Sequence, residues 1–192
     1  MADFVQIVLV GVLGLALGLA ATAFALSGPS PFDQVRLGAW SIEAHAGSAE
    51  ADPYTRARLA RSGEIPLATG EGLQLIARKD DDGRPLDAQC VYRIGPRAPA
   101  ARYWTLSLTD PQGFPVANPA DRYGFRSSEI LRDGAGDFVV TAAAEVQPGN
   151  WLPIGAPGPF ALALRLYDSP LGATAAAIEP ATVPRVKRVG CP

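Results

Sequence analysis

The feature of the sequence that most restricts its fold is a strict two-residue alternation near the C-terminal end. From residue 160 to residue 167, large apolar side chains take every second position, and small, basic or aromatic ones lie between them. Successive side chains of a β-strand point to opposite faces, so the pattern predicts a strand with two unlike faces. The predicted core face consists of Phe160, Leu162, Leu164 and Leu166, and the opposite face of Ala161, Ala163, Arg165 and Tyr167.

The same alternation predicts further strands along the chain. A short helix is predicted at residues 52–60, where Asp52 can cap the free N–H groups and Pro53 suits the first helical position. The 20 glycines and 18 prolines suit many turns. We therefore predict a mainly β fold, an antiparallel β-sandwich with one short helix. The predicted strands are Gly72–Arg78, Leu86–Ile94, Arg102–Asp110 and Phe138–Val146. The stretch Val35–Ile42 is either a first strand or a segment that approaches the membrane interface.

The N-terminal segment is a continuous apolar run from Phe4 to Leu26. As a helix it would be about 34 Å long, enough to cross a bilayer. Its length and the lack of a preceding Lys or Arg favour an uncleaved transmembrane helix, whereas the A-x-A sequence at residues 23–25 also fits a cleaved signal peptide. The predicted organisation is an anchor at residues 1–27, a linker at 28–34 and a sandwich domain at 35–192.

The expected partners follow from this organisation and from the charge of the chain. The lipid bilayer is the first partner, through the N-terminal helix. Gly14 and Gly18 form a G-x-x-x-G pattern that could pair two such helices into a homodimer. The net charge of −2 provides no general attraction for nucleic acid, so we expect no nucleic-acid partner.

Two cysteines, Cys90 and Cys191, are present. They are either a disulfide that ties the C-terminal end to a central strand or two unpaired thiols. The N-terminal segment indicates export to an oxidising compartment, which favours the disulfide.

Catalytic and metal-binding motifs are largely missing from the sequence. His45 is the single histidine, and no G-x-S-x-G, P-loop or dinucleotide-binding pattern occurs. The aspartates at 80–82 do not match a calcium loop. We expect no cofactor and no metal site, and no residue is assigned a catalytic role, although His45 or a carboxylate pair remains open for hydrolysis.

Aromatic and basic residues on or beside the predicted strands form a candidate binding surface. Such side chains suit recognition of carboxylates, sugars or a peptide. The alternative is structural, because buried aromatic residues fill sandwich cores and arginines brace loops. The candidate residues are Arg102, Trp104, Asn118, Arg122, Tyr123, Trp151, Arg165 and Tyr167.

Six segments of the chain carry a family resemblance: Ala51–Arg58, Gly83–Cys90, Ala101–Asp110, Asn118–Tyr123, Trp151–Pro153 and Gly158–Tyr167. Together they resemble the bacterial domain of unknown function 1214 family, in its small membrane-anchored form. The resemblance implies a jelly-roll-like β-sandwich in the bacterial envelope and no established activity. With the cysteines, it implies a single-pass protein of the inner membrane with its C-terminal domain in the periplasm.

Three functional hypotheses follow. The first is a membrane-anchored envelope protein that acts through binding or as a structural module, with another envelope protein as a candidate partner. The second is a module that binds a glycan or small ligand through the aromatic and arginine surface. The third is a hydrolase that uses carboxylates or His45.

Overall fold

The computed structural model describes residues 2–27, 34–43, 45–62, 64–68, 70–169 and 178–191. The predicted linker, apart from Gln34, lies outside these ranges. Two α-helices are present in the described ranges, α1 (Ala2–Ala25) and α2 (Pro53–Ser62). The strands are β1 (Gln34–Leu37), β2 (Trp40–Glu43), β3 (Gly72–Ala77), β4 (Val91–Gly95), β5 (Tyr103–Thr109), β6 (Gly124–Arg126), β7 (Val140–Ala143), β8 (Asn150–Pro153), β9 (Ala161–Tyr167) and β10 (Arg185–Gly190).

The strands form two sheets, with the order β1-β2-β3-β9-β5-β6 in one and β10-β4-β7-β8 in the other. A single apolar core contains residues from both sheets, such as Leu164 of β9 and Tyr92 of β4. The ring of Tyr92 meets that of Phe160 edge-on, with centroids 5.5 Å apart. The fold is therefore the predicted β-sandwich, accompanied by one short helix and preceded by a long apolar one.

Strand β9 lies at the centre of the larger sheet, paired with β3 on one side and β5 on the other. Its predicted core residues are buried, with Leu162, Leu164 and Leu166 at most 1% exposed. The opposite face differs from the prediction in one respect, because Ala161 and Ala163 are also buried. Ala163 lies between Ile76 of β3 and Ser107 of β5, and Ala161 lies opposite Thr109 of β5. Only the end of β9 that carries Arg165 and Tyr167 reaches solvent.

Three predicted strands have different bounds in the structure. The stretch 86–94 begins as a turn, because the Asp87 carboxylate and carbonyl accept hydrogen bonds from the N–H groups of Gln89 and Cys90, and β4 begins only at Val91. The stretch 138–146 shortens to β7. The stretch 35–42 is a hairpin of two strands, with Gly38 at φ +61° in its turn.

One strand pair departs from the predicted antiparallel arrangement. Strand β8 runs parallel to β7, and residues 144–149 carry the chain back to the start of the pair. The buried side chain of Asn150 donates hydrogen bonds to the carbonyls of Leu131 and Val139 and accepts one from the Leu131 N–H. The segment before β9 thus contains an edge strand, β8, which is fixed by a buried amide.

The C-terminal strand is fixed to the sandwich by covalent and ionic contacts. Cys90 and Cys191 form a disulfide, so the predicted pairing is present. The carboxylate of Asp80, which is 2% exposed, accepts a hydrogen bond from Arg84 Nε at 3.0 Å, and its Oδ2 lies 3.0 Å from Arg188 Nε. The next residue, Asp81, exchanges backbone and side-chain hydrogen bonds with Val186 of β10.

Helix α1 is long and apolar enough over residues 3–25 to cross a membrane, and none of that span is buried against the rest of the chain. Transfer of so much apolar surface from water is favourable, so the helix requires a nonpolar environment. By length and composition it fits a single transmembrane span or a signal sequence.

Loss of the disulfide should destabilise the sandwich. Cys90 and Cys191 are 101 residues apart in sequence, and the chain-entropy model assigns about 4 to 5 kcal/mol to a loop of that size. We expect the double variant Cys90→Ser/Cys191→Ser to lose about 2 to 5 kcal/mol in the free energy of unfolding by denaturant titration. Reductant should lower the stability of the wild type and leave the variant unchanged. Equal stability of the two proteins would contradict this role.

Removal of the Asp80 charge should leave Arg188 uncompensated in a largely buried position. Burial alone would raise the pKa of the Asp80 carboxyl, but hydrogen bonds from the backbone and side chain of Arg84, with Arg188 nearby, hold it below its ordinary value of 3.8. We expect Asp80→Asn to cost about 2 to 4 kcal/mol at neutral pH. Because the folded-state pKa is depressed, the wild type should lose this contribution as the pH falls below 3.8.

A matched control is Asp82→Asn, since the side chain of Asp82 is 72% exposed and pairs only with Arg84 among the described residues. We expect this variant to change stability by less than about 0.5 kcal/mol. The buried charge would have no such role if Asp80→Asn lowered the free energy of unfolding no more than the control does. The same would follow if the difference between Asp80→Asn and the wild type did not shrink at acidic pH.

Candidate functional site

The candidate site lies on the outer face of the six-stranded sheet, beneath α2. Asp52 caps the start of α2 as predicted, because its carboxylate accepts hydrogen bonds from the N–H groups of Tyr54 and Thr55 and from the Thr55 hydroxyl. Arg56 donates to the carbonyls of Ala51 and Ala49, which fixes the preceding loop to the helix. These contacts fix the start of α2, and Arg58 of the same helix reaches Glu43 of β2.

A small cavity of about 50 Å³ separates α2 and its flanking segments from β2 and β3. This volume holds a few water molecules or one small polar group, and not a whole drug-sized ligand. Gly47 allows the loop before α2 to approach the segment after it, because a Cβ at this position would lie 1.8 Å from the Leu67 carbonyl oxygen. The charged and amide side chains that line the cavity are Glu43, Arg58, Glu64, Gln74 and Arg78.

A continuous chain of charged and amide groups crosses the cavity wall. Arg58 pairs through one terminal nitrogen with Glu43 and through the other with Glu64 at 3.3 Å. The Gln74 amide donates to Glu64 at 2.8 Å and accepts from Arg165 Nε at 2.9 Å. The network holds each member in one orientation.

Two guanidinium groups retain donors that this network does not use. The buried Arg58 Nε has no hydrogen-bond partner within the described part of the chain. Arg78 interacts electrostatically with Glu64, Arg58 and Glu43, and among the described residues it donates no side-chain hydrogen bond. Arg78, which lines the cavity, is suited to an oxygen acceptor such as a carboxylate, whereas Arg58 Nε is buried out of reach of a ligand.

Burial shifts the ionisation of two groups at the site. It raises the pKa of the Glu43 carboxyl above its ordinary value, although Arg58 opposes the shift. Burial likewise lowers the pKa of the Arg78 guanidinium, opposed by Glu64. The cavity is therefore a poorly solvated environment in which charged groups depend on one another.

Of the residues predicted as a binding surface, Arg165 belongs to this network through Gln74. Tyr167 lies beside Tyr103 on the same sheet, with ring centroids 6.0 Å apart. Arg102 is exposed, and its Nη1 lies 3.5 Å from Oδ2 of Asp168, just beyond the end of β9. These residues share one end of the six-stranded sheet.

A second group of predicted residues forms the loop between β5 and β6. The amide of Asn118 bonds to the backbone of Ala120, Arg122 and Val116, so its hydrogen bonds organise the loop. The Arg122 guanidinium lies 4.7 Å from the Phe125 ring centroid. A hydrogen bond to Asp121 raises the pKa of the Tyr123 hydroxyl. None of these side chains lines the cavity.

The two predicted tryptophans lie elsewhere. Trp104 is buried in the core, with its ring 5.0 Å from that of Phe138. Trp151 is half-buried on the four-stranded sheet, where its Nε1 donates to the Ala143 carbonyl at 3.0 Å. The predicted residues therefore do not converge on one place.

His45 lies in an exposed turn at the edge of the cavity region. The Ser48 hydroxyl donates to the His45 backbone carbonyl at 3.1 Å, which is not the hydrogen bond that imidazole activation of a serine requires. Within the described residues, no group of three or more His, Cys, Asp or Glu side chains is placed to hold a metal ion.

The sequence alone does not point to most of the charged and amide residues that line the cavity. One signal was available for Gln74, which lies between Leu73 and Leu75 and therefore had to face away from the core. The other members become neighbours only when α2 packs on β2 and β3, so their spacing in the sequence carries no signal.

The chain matches one protein family and is similar to solved structures. The family model described as "Protein of unknown function (DUF1214)" matches residues 71–171. No curated protein matches the chain. The crystal structure of the VPA0106 protein from Vibrio parahaemolyticus is similar, with a TM-score of 0.59 and 19% identity, covering 73% of this chain and 36% of that one. A protein from Burkholderia cenocepacia gives a TM-score of 0.43 at 16% identity, covering 75% of this chain and 45% of that one.

At 19% identity the likeness to the Vibrio protein concerns the fold alone, and this chain spans about a third of the length of that protein. The family model, by contrast, covers more than half of the chain, including β3 to β9 and the Gln74 and Arg165 pair of the site. As the resemblance predicted, the protein belongs to the DUF1214 family of proteins of unknown function.

Proposed function

We propose that the protein is a membrane-anchored module of the bacterial envelope, whose sandwich lies in the periplasm and binds a ligand through the cavity beneath α2. The observation that carries the proposal is helix α1, which is apolar along its length and unburied by the rest of the chain. The disulfide supports the periplasmic location, because such bonds persist in oxidising compartments and are rare in the cytosol.

The chemistry of the cavity supports binding of a ligand that carries a carboxylate. Arg58 is already paired with Glu43 and Glu64, so Arg78 provides the positive charge and hydrogen-bond donors open to a ligand in a poorly solvated place. The volume of about 50 Å³ admits one such group while the rest of the ligand remains outside. An acidic sugar of a glycan and a small organic acid both meet this description.

The location is tested by membrane topology. With a C-terminal epitope on the full chain in a Gram-negative host, we expect the epitope to remain with alkali-washed membranes and to be digested by protease added to spheroplasts. Leu13→Arg should weaken membrane retention, since an arginine at the centre of a span costs about 2.5 to 3.5 kcal/mol. An epitope in the soluble periplasmic fraction would indicate a cleaved signal peptide, and one protected in spheroplasts would indicate the opposite orientation.

The ligand class is tested by binding of acidic and neutral sugars and of small carboxylic acids, measured by calorimetry on the detergent-solubilised chain. We expect the carboxylates alone to bind. Arg78→Gln should weaken that binding about 10-fold to 100-fold, the effect of losing a charge-assisted hydrogen bond of about 1.5 to 3 kcal/mol. Arg61→Gln is the matched control, because Arg61 is an exposed residue of α2 outside the cavity. Equal affinity in the two variants would exclude this site.

A hydrolytic role is the second candidate, favoured by the presence of two carboxylates, Glu43 and Glu64, in one cavity. The raised pKa of Glu43 is a property that a general acid needs. If the protein hydrolyses glycans or esters with this pair, Glu43→Gln and Glu64→Gln should each abolish turnover. The His45→Ala variant should remain active. Turnover that survives both substitutions would exclude this pair.

A further inference from the structure

The outer face of the four-stranded sheet carries two basic side chains directly opposite each other. Lys187 of β10 is the register partner of Arg93 of β4, and both are exposed. Neither side chain forms a hydrogen bond or ion pair with another residue in the described ranges. Like charges opposite each other in an antiparallel pair destabilise a sheet. The pair is therefore unfavourable for the isolated fold and available to a partner.

The basic pair continues across the sheet as a row that ends in an indole. Arg93 is the register partner of Thr141 in β7, and Thr141 is that of Trp151 in β8. At the usual separation of neighbouring strands, the row extends about 14 Å. Two cations at one end and a half-buried tryptophan at the other thus lie on one surface.

Aliphatic side chains border this row. Val189 is 59% exposed, Leu131 is 65% exposed and Val139 is 38% exposed, and all three line an open groove of about 660 Å³ together with Arg93 and Thr141. The groove also contains two carboxylates, Asp133 and Asp137, and a further cation, Arg132. Asp137 pairs with Arg97, and the Asp133 carboxylate accepts backbone hydrogen bonds within its own turn. Arg93, Lys187, Arg132 and Arg97 outnumber the two carboxylates, so the surface has an excess of positive charge beside its aliphatic groups.

The length of the chain restricts how far this surface can be from a bilayer. Residue 27 follows α1 and residue 34 begins β1, so the intervening peptide spans at most about 25 Å. If α1 is the anchor proposed above, the sandwich remains within one domain diameter of the lipid headgroups. Cations, exposed aliphatic groups and a tryptophan are the side chains that interact with an anionic membrane surface.

We propose that the outer face of the four-stranded sheet, through Lys187, Arg93 and Trp151, lies on the anionic phospholipid surface of the membrane in which α1 is anchored. Lys187 and Arg93 contact the phosphate groups, and their mutual repulsion is relieved by the negative charge. The Trp151 indole and the neighbouring aliphatic side chains enter the headgroup region. The proposal rests on the anchoring of α1 but not on the cavity beneath α2.

The test uses the full chain reconstituted into vesicles of phosphatidylcholine alone or of phosphatidylcholine mixed with phosphatidylglycerol, each with brominated phospholipid as quencher. Trp40 and Trp104 are at most 5% exposed, so quenching reports chiefly on Trp151, and Trp151→Phe gives the background. We expect at least 2-fold stronger quenching in the anionic vesicles than in the neutral ones. High salt should reduce the difference, because it screens exposed charges.

The double variant Arg93→Glu/Lys187→Glu should lose the difference between the two vesicle types. The control Arg36→Glu/Arg126→Glu changes the net charge equally at exposed positions of the other sheet, and should retain it. The single variant Arg93→Glu separates function from folding. It replaces repulsion with attraction across the strand pair, so in detergent it should raise Tm by about 2 °C while weakening the quenching in anionic vesicles.

Equal quenching in neutral and anionic vesicles, or equal loss in the control variant, would overturn the proposal. A response to a soluble polyanion such as polyphosphate, without a response to anionic vesicles, would overturn it in favour of a soluble partner. Failure of the anchoring itself is distinguishable, because the chain would then not float with vesicles of either composition.

Discussion

The burial of one face of β9 is the interaction on which the rest of the structure depends. Leu162, Leu164 and Leu166 are almost completely buried, and their strand is paired on both sides. The four-stranded sheet covers this face, so both sheets share one core. Because the strand is central, the opposite side of the same backbone presents Arg165 to the surface at a fixed position. The same strand thus forms the centre of the core and positions a residue of the candidate site.

Covalent and ionic contacts then fix the periphery of the sandwich to this core. The disulfide and the ion pair between Asp80 and Arg188 hold β10 against β4. These contacts matter because β10 is an edge strand, which backbone hydrogen bonds fix on one side only. These contacts also position the outer face of the smaller sheet. A rigid β10 keeps Lys187 opposite Arg93 despite their repulsion, so the energetic cost of that pair is offset by neighbouring interactions.

The sequence predicted the elements whose pattern is local, and it missed those that depend on tertiary contacts. Alternation identified β9 and β5, and the Asp52-Pro53 pair located the start of α2, because each signal lies within a few residues. Strand β8 was hidden because Pro148 and Gly149 precede it and Pro153 ends it, and a proline is tolerated there because β8 is an edge strand. Arg165 was predicted as a site residue, whereas Glu43 and Arg58 become partners only when α2 packs on the sheet.

The central claim is that an intact apolar helix anchors a disulfide-closed sandwich outside the cytosol. The most direct test is the intact mass of the protein purified without reductant from bacterial membranes. The account predicts a mass that includes α1 and is lower than that of the reduced chain by the two thiol hydrogens. A mass corresponding to a chain that begins after Ala25, or one that retains both thiol hydrogens, would contradict it.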